Sequence, residues 1–146
     1  MFAFIFLFLC AETAFSLDQP LSPIPMNLGP IDSEVDAKST VISVRFEAKP
    51  SFEKPKIEAH GSFLQVVFPN TITTKSGQFS DAKSPYIRKF AAFQVDDHTV
   101  GLRLFVSADA EKFLGAVNAD IFENRVLIVL DHNAIEKNLS KELDGV

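Results

Sequence analysis

The segment Thr99–Val106, TVGLRLFV, constrains the chain more than any other. It puts Val100, Leu102, Leu104 and Val106 on one side and Gly101, Arg103 and Phe105 on the other. Only an extended strand, whose side chains alternate between faces, turns that order into one apolar surface. The same period of two returns in residues 41–48, where Ile42, Val44, Phe46 and Ala48 oppose Ser43, Arg45 and Glu47. In residues 63–68, Leu64, Val66 and Phe68 oppose Phe63 and Val67, and RVLIVL at 125–130 is apolar on both faces. Strands with one apolar face need a second layer to cover it. The expectation is therefore an all-β fold, a small β-sandwich with Val66, Leu104 and Ile128 in its core.

Turn residues punctuate these strands. Lys49-Pro50 ends the first, and Lys56–His60 reads as a short strand before the turn His60-Gly61-Ser62. Pro69-Asn70 stops the next, and residues 71–85 read as a long polar loop with at most an irregular edge strand. Tyr86–Val95 is a strand in which Phe90 and Phe93 break strict alternation, which predicts a bulge. Asp96-Asp97-His98 is a hairpin turn, and residues 108–117 fit either a helix or a strand. A short strand over 119–122 and a turn at Glu123-Asn124 precede the last strand. The end of the chain changes period: Ile135, Leu139 and Leu143 form a stripe, Asn133 and Glu136 are spaced as a capping box, and Gly145 can terminate a helix. A short C-terminal amphipathic helix is expected over 134–143.

The strand, loop, turn and strand unit occurs twice. VRFEA, HGSF and LQVVF are echoed by LRLFV, IFEN and VLIVL, with Arg45 matching Arg103 at an offset of 58 and Val67 matching Val129 at 62. This suggests two related halves.

Ahead of the strands, MFAFIFLFLCA is an unbroken apolar run holding four of the 15 Phe. It is shorter than the roughly 20 residues that span a bilayer, and it has the length of a secretory signal. Ala14 and Ser16 are spaced for cleavage after Ser16, although no Lys or Arg precedes the run. The residues before Cys10 are too large for a lipoprotein signal, and cleavage would remove the chain's one cysteine, which suits an oxidising compartment. Pro20, Pro23, Pro25 and Pro30 then exclude a helix. The stretch reads as a linker or as a lead-in strand at a sheet edge. The expected division is a signal peptide (1–16), a Pro-rich linker (17–39), a sandwich domain (40–132) and a C-terminal helix and tail (133–146).

The inventory of chemistry is sparse. There is no Gly-x-Ser-x-Gly and no phosphate-cradling glycine loop. His60, His98 and His132 have no metal-ligand spacing, so no metal or other cofactor is expected. With a formal charge of −5 the chain has no electrostatic footprint for nucleic acid. Trp is absent and Tyr occurs once, which weakens a reading based on sugar or base stacking. The basic stretch KPSFEKPK at 49–56 reads as a solvated hairpin tip, and Asn138-Leu139-Ser140 matches a glycosylation acceptor inside the expected helix. The side chains left for binding are strand arginines on wet faces: Arg45, Arg88 and Arg103, with Arg125 beside them in kind.

LQVVFPN at 64–70, YIRKFAAFQV at 86–95, TVGLRLFV at 99–106 and NRVLIVL at 124–130, behind a secretory signal, resemble the AMIN domain of bacterial envelope proteins. The resemblance covers about residues 40–132. Phe68-Pro69 stands where that family usually carries an acidic residue. The resemblance implies a non-enzymatic periplasmic module that binds peptidoglycan or an envelope protein complex, as in amidases and type IV pilus secretins. It also admits a structural subunit of an envelope machine, such as the extracytoplasmic domain of the flagellar export protein FliO, which is expected to continue into a transmembrane helix. Arg45, Arg88 and Arg103 are the ligand-contact candidates under either reading.

Overall fold

A computed structural model describes residues 24–144. The expected signal peptide with Cys10, Gly145 and the side chain of Leu143 lie outside what it describes. The strands are β1 (Met26–Val35), β2 (Ser39–Phe46), β3 (Lys56–His60), β4 (Phe63–Pro69), β5 (Thr71–Ile72), β6 (Ile87–Asp96), β7 (Thr99–Val106), β8 (Val117–Phe122) and β9 (Arg125–Asp131). A 3₁₀ helix spans Ala110–Ala116, and helix α1 spans His132–Asp144. Two sheets face each other, one in the order β5-β1-β2-β9-β8 and the other β3-β4-β7-β6. The fold is the expected all-β sandwich with a C-terminal helix.

The core is the sum of the apolar faces read from the alternation. Ile42, Val44, Val126, Ile128 and Leu130 from one sheet meet Leu64, Val66, Phe68, Val100, Leu102 and Leu104 from the other, all fully buried. Burying each such side chain contributes about 1.5–3 kcal/mol relative to exposure.

The two halves trade hairpins. Each sheet takes a first hairpin from one half and a second from the other, so β1-β2 pairs onward with β9-β8, and β6-β7 pairs onward with β4-β3. The equivalence holds in the turns: Gly61 and Glu123, 62 residues apart, both take left-handed backbone, with φ of 65° and 56°. It also holds in register. Ile42 faces Ile128 and Leu102 faces Val66, so with the hairpin offset of 62 the first strands are related by 60. Arg103 therefore occupies the position of Ser43, and the Arg45–Arg103 match at an offset of 58 is out of register by two.

Two open choices resolve and two local expectations change. Of the two readings of the Pro-rich stretch, residues 26–35 take the lead-in strand and not the linker: they form a ten-residue strand paired with β2, and the globular part starts well before Thr40. Only Pro30 falls inside that strand, at a register shift between Leu28 and Ile31, where a missing N–H costs no ladder bond. Residues 49–56 are no solvated hairpin tip, because they cross between the sheets. Pro50 and Pro55 are buried, and the Phe52 ring lies 6.0 Å from Phe46 and 5.9 Å from Phe68. The open choice over residues 108–117 resolves as the 3₁₀ helix, whose buried Ala110, Phe113 and Ala116 plug the end of the core. Helix α1 is capped by Asp131 rather than Asn133, since Asp131 Oδ1 accepts from the N–H groups of Asn133 and Ala134 at 3.0 and 3.2 Å.

That helix is tied to the sandwich by buried Ile135, by Asn138 Nδ2 donating to the Lys112 carbonyl at 2.9 Å, and by His132. The His132 Nε2 lies 2.7 Å from Thr40 Oγ1, and its ring packs 4.9 Å from that of Tyr86. The Tyr86 hydroxyl donates to Glu136, and burial, then this carboxylate, push its pKa up to about 12.

Candidate binding face

The outer face of the β3-β4-β7-β6 sheet is a grid set by strand register. One row reads Glu58, Gln65, Arg103 and Ala91; the row on one side reads His60, Phe63, Phe105 and Lys89; on the other side Lys56, Val67, Gly101 and Phe93. These are the side chains that alternation sends away from the core, and three of them are phenylalanines.

Arg103 sits at the centre. Its guanidinium carbon lies 5.0 Å from the centroid of Phe63 and 4.4 Å from that of Phe93, two of its diagonal neighbours. Both distances are within cation–π range. Its Nε donates to Gln65 Oε1 at 3.0 Å. The Gln65 amide in turn donates to Glu58 Oε1 at 3.5 Å, and His60 Nε2 donates to the same oxygen at 2.9 Å. The hydrogen bond from His60 is the main cause that holds the Glu58 carboxyl below the ordinary carboxylate range. A polar line thus runs from β3 to β7 and ends on the arginine Nε, and among the described residues its two terminal nitrogens take no hydrogen-bond partner. Among the described residues no carboxylate lies within ion-pair distance of Arg103.

Two small residues make this arrangement possible. A Cβ on Gly101 would come within 2.6 Å of Gln65 Oε1, so Gln65 lies in the space that a side chain at 101 would take. Ala91, although it faces outward, is 1% exposed. Beside it Phe79, from the loop before β6, places its ring 5.9 Å from Phe93 and 5.8 Å from Phe105. Lys89 Nζ lies 4.4 Å above the Phe79 ring. That loop is pinned by Gly77 N–H on the Ala92 carbonyl, by the Ser80–Phe90 bridge, and by the Gln94 side chain, whose Oε1 accepts from Thr73 N–H at 2.8 Å. Phe79 is nevertheless half exposed.

The three arginine candidates do not form one site. Arg103 lies on this face, and Arg88 is exposed at the bulge of β6, between Ile87 and Lys89. Arg45 is exposed on the opposite outer face, directly across from Arg125 on β9. Reading the sequence for arginines also passed over the rings. Phe63 and Phe105 are legible as wet-face aromatics once the alternation is fixed. Phe93 sits in the regular stretch of β6 from Lys89 to Gln94, on the face opposite Phe90, so the bulge expected from these two rings is not between them and the register shifts lie at the strand's ends; Phe79 comes from a loop with no period.

No family model, no curated protein and no solved structure matches this chain.

Proposed function

We propose that this chain is a non-enzymatic module of the bacterial periplasm that binds the cell envelope, with peptidoglycan as its ligand and the β3-β4-β7-β6 outer face as its contact surface. The observation that carries the proposal is the held guanidinium. Arg103 is braced by Gln65 and flanked by Phe63 and Phe93, so its two terminal nitrogens are aimed with little freedom left to lose. Peptidoglycan offers the matching chemistry. Its peptide carboxylates accept two parallel hydrogen bonds from one guanidinium, and its sugar C–H faces can lie on exposed rings such as Phe79. The export signal expected at residues 1–16 and the resemblance of residues 40–132 to AMIN domains favour the same compartment and role.

Co-sedimentation of the protein with purified sacculi at low and high salt tests this reading. The expected result is salt-sensitive retention that Arg103→Ala abolishes and Arg45→Ala leaves intact. Absence of wild-type retention at every salt concentration would overturn peptidoglycan as the ligand and leave a protein of a pilus or flagellar assembly as the partner.

A further inference from the structure

A second surface lies along β1, on the other sheet. β5 pairs with β1 through Met26–Thr71 and Asn27–Ile72 only. The chain then leaves that line, because the Thr73 N–H turns to the Gln94 side chain instead of to β1. Among the described residues, β1 has no neighbour other than β2 from Leu28 to Val35. Alternate residues of an edge strand turn their N–H and C=O groups outward, so a row of ladder groups stands open there.

The vacated line runs beside a cleft of about 410 Å³. Leu28 and Ile31 of β1 form one wall, Phe90 and Ala92 of β6 the other, and Thr73 and Ser80 part of the rim. The two faces of the edge differ in character. Asp32 and Glu34 are exposed and pair with Ser43 and Val41, which places them on the outer face. Ile31 points the other way, into the cleft.

We infer that this edge takes an extended peptide segment of a basic partner as an added strand that continues the line of β5. Such a strand would hydrogen-bond to the open side of β1. Its alternation is dictated by the edge: small apolar side chains on the cleft side, Lys or Arg on the outer side across from Asp32 and Glu34, where opposite charges pair across strands. The acidic pair also decides against a second copy of this chain. Edge-to-edge pairing of two β1 strands would set like charges against each other in a molecule of net charge −5. This inference is independent of the Arg103 face, which lies on the other sheet.

The test is NMR amide exchange on the full-length protein with two synthetic probes, acetyl-Lys-Val-Lys-Val-Lys-amide and its Glu-Val counterpart. The lysine peptide is expected to slow exchange of edge amides within Ile31–Val35 by about tenfold or more, and the glutamate peptide to leave them unchanged. In the double variant Asp32→Lys, Glu34→Lys the preference should reverse. Both side chains are exposed, and unchanged protection in β4 and β7 will show that the variant is folded. Lysine-peptide binding without added protection in β1, binding that the charge reversal does not alter, or shifts confined to the Arg103 face would each overturn the inference.

Discussion

The two outer faces of the sandwich are built by the same strand plan and carry opposite electrostatic arrangements. On β2 and β9, Arg45 stands directly across from Arg125, with no carboxylate within ion-pair distance among the described residues. On β4 and β7, the neighbour directly across from Arg103 is Gln65, an acceptor, and two of the four diagonal neighbours, Phe63 and Phe93, are rings against its guanidinium. The position that is Gly101 on one face is Val41 on the other by the offset of 60. Only the glycine leaves room for Gln65 to reach the arginine. An arginine on a wet strand is thus not a site by itself. The residues two positions away and one strand over decide whether it is aimed or merely solvated.

That comparison depends on register, and Leu104 is where it can be broken most decisively. Leu104 is fully buried beneath the face that carries Arg103. Leu104→Ala should cost roughly 2–5 kcal/mol, a large share of a typical 5–15 kcal/mol stability. The check is the midpoint of urea unfolding. An unchanged midpoint would mean that the strand is slipped by one residue, with Arg103 and Phe105 inward and both faces misassigned.

Gly101→Val carries the residue of one face to the equivalent place on the other. The Cβ alone would meet the Gln65 side chain from Oε1 at 2.6 Å back to Cγ at 3.1 Å, so this flexible side chain has to swing aside as a whole, and the fold should survive with a stability change of about 1 kcal/mol. The hydrogen bond from Arg103 to Gln65 would be lost. Retention on sacculi should then fall to the level of Arg103→Ala while circular dichroism stays that of the wild type. Undiminished retention would show that the brace on Arg103 is irrelevant to binding.

Much of this was legible in the sequence, and the limits are physical. Alternation is a property of the strand itself, so the core residues Val66, Leu104 and Ile128 and the outward turn of Arg103 follow from local order. Which strands become neighbours is not local. The hairpin exchange between halves, and with it the separation of Arg45 from Arg103, depends on contacts between residues about 80 positions apart, such as Arg45 and Arg125. The prolines left residues 26–35 open between a linker and a lead-in edge strand, because local order does not tell that a single Pro30 falls at a bulge, where it is compatible with a strand whose neighbours carry the ladder. Phe79 reaches the face through loop bonds to Ala92 and Phe90 that no periodicity encodes.

The smallest effect is also the one that compares the faces most directly: the same substitution made on each. Arg45→Gln removes one of two like charges set opposite each other on adjacent strands, an arrangement that destabilises a sheet by a few tenths to about 1 kcal/mol. The variant should be slightly more stable than the wild type, by about 0.5 kcal/mol or less, since both guanidinium groups reach water. Raising the salt to about 1 M shortens the screening length to about 3 Å, so the gain should shrink there. Arg103→Gln should go the other way. It removes the cation held against Phe63 and Phe93, a contact of about 0.5–1 kcal/mol at an exposed site. That loss should persist at high salt to a greater degree, because the rings shield the guanidinium from ions. Urea unfolding of the two variants at low and high salt reads both signs in one experiment. Equal shifts of the same sign would show that the rings contribute nothing to holding Arg103, and that the two faces differ in composition but not in how they treat an arginine.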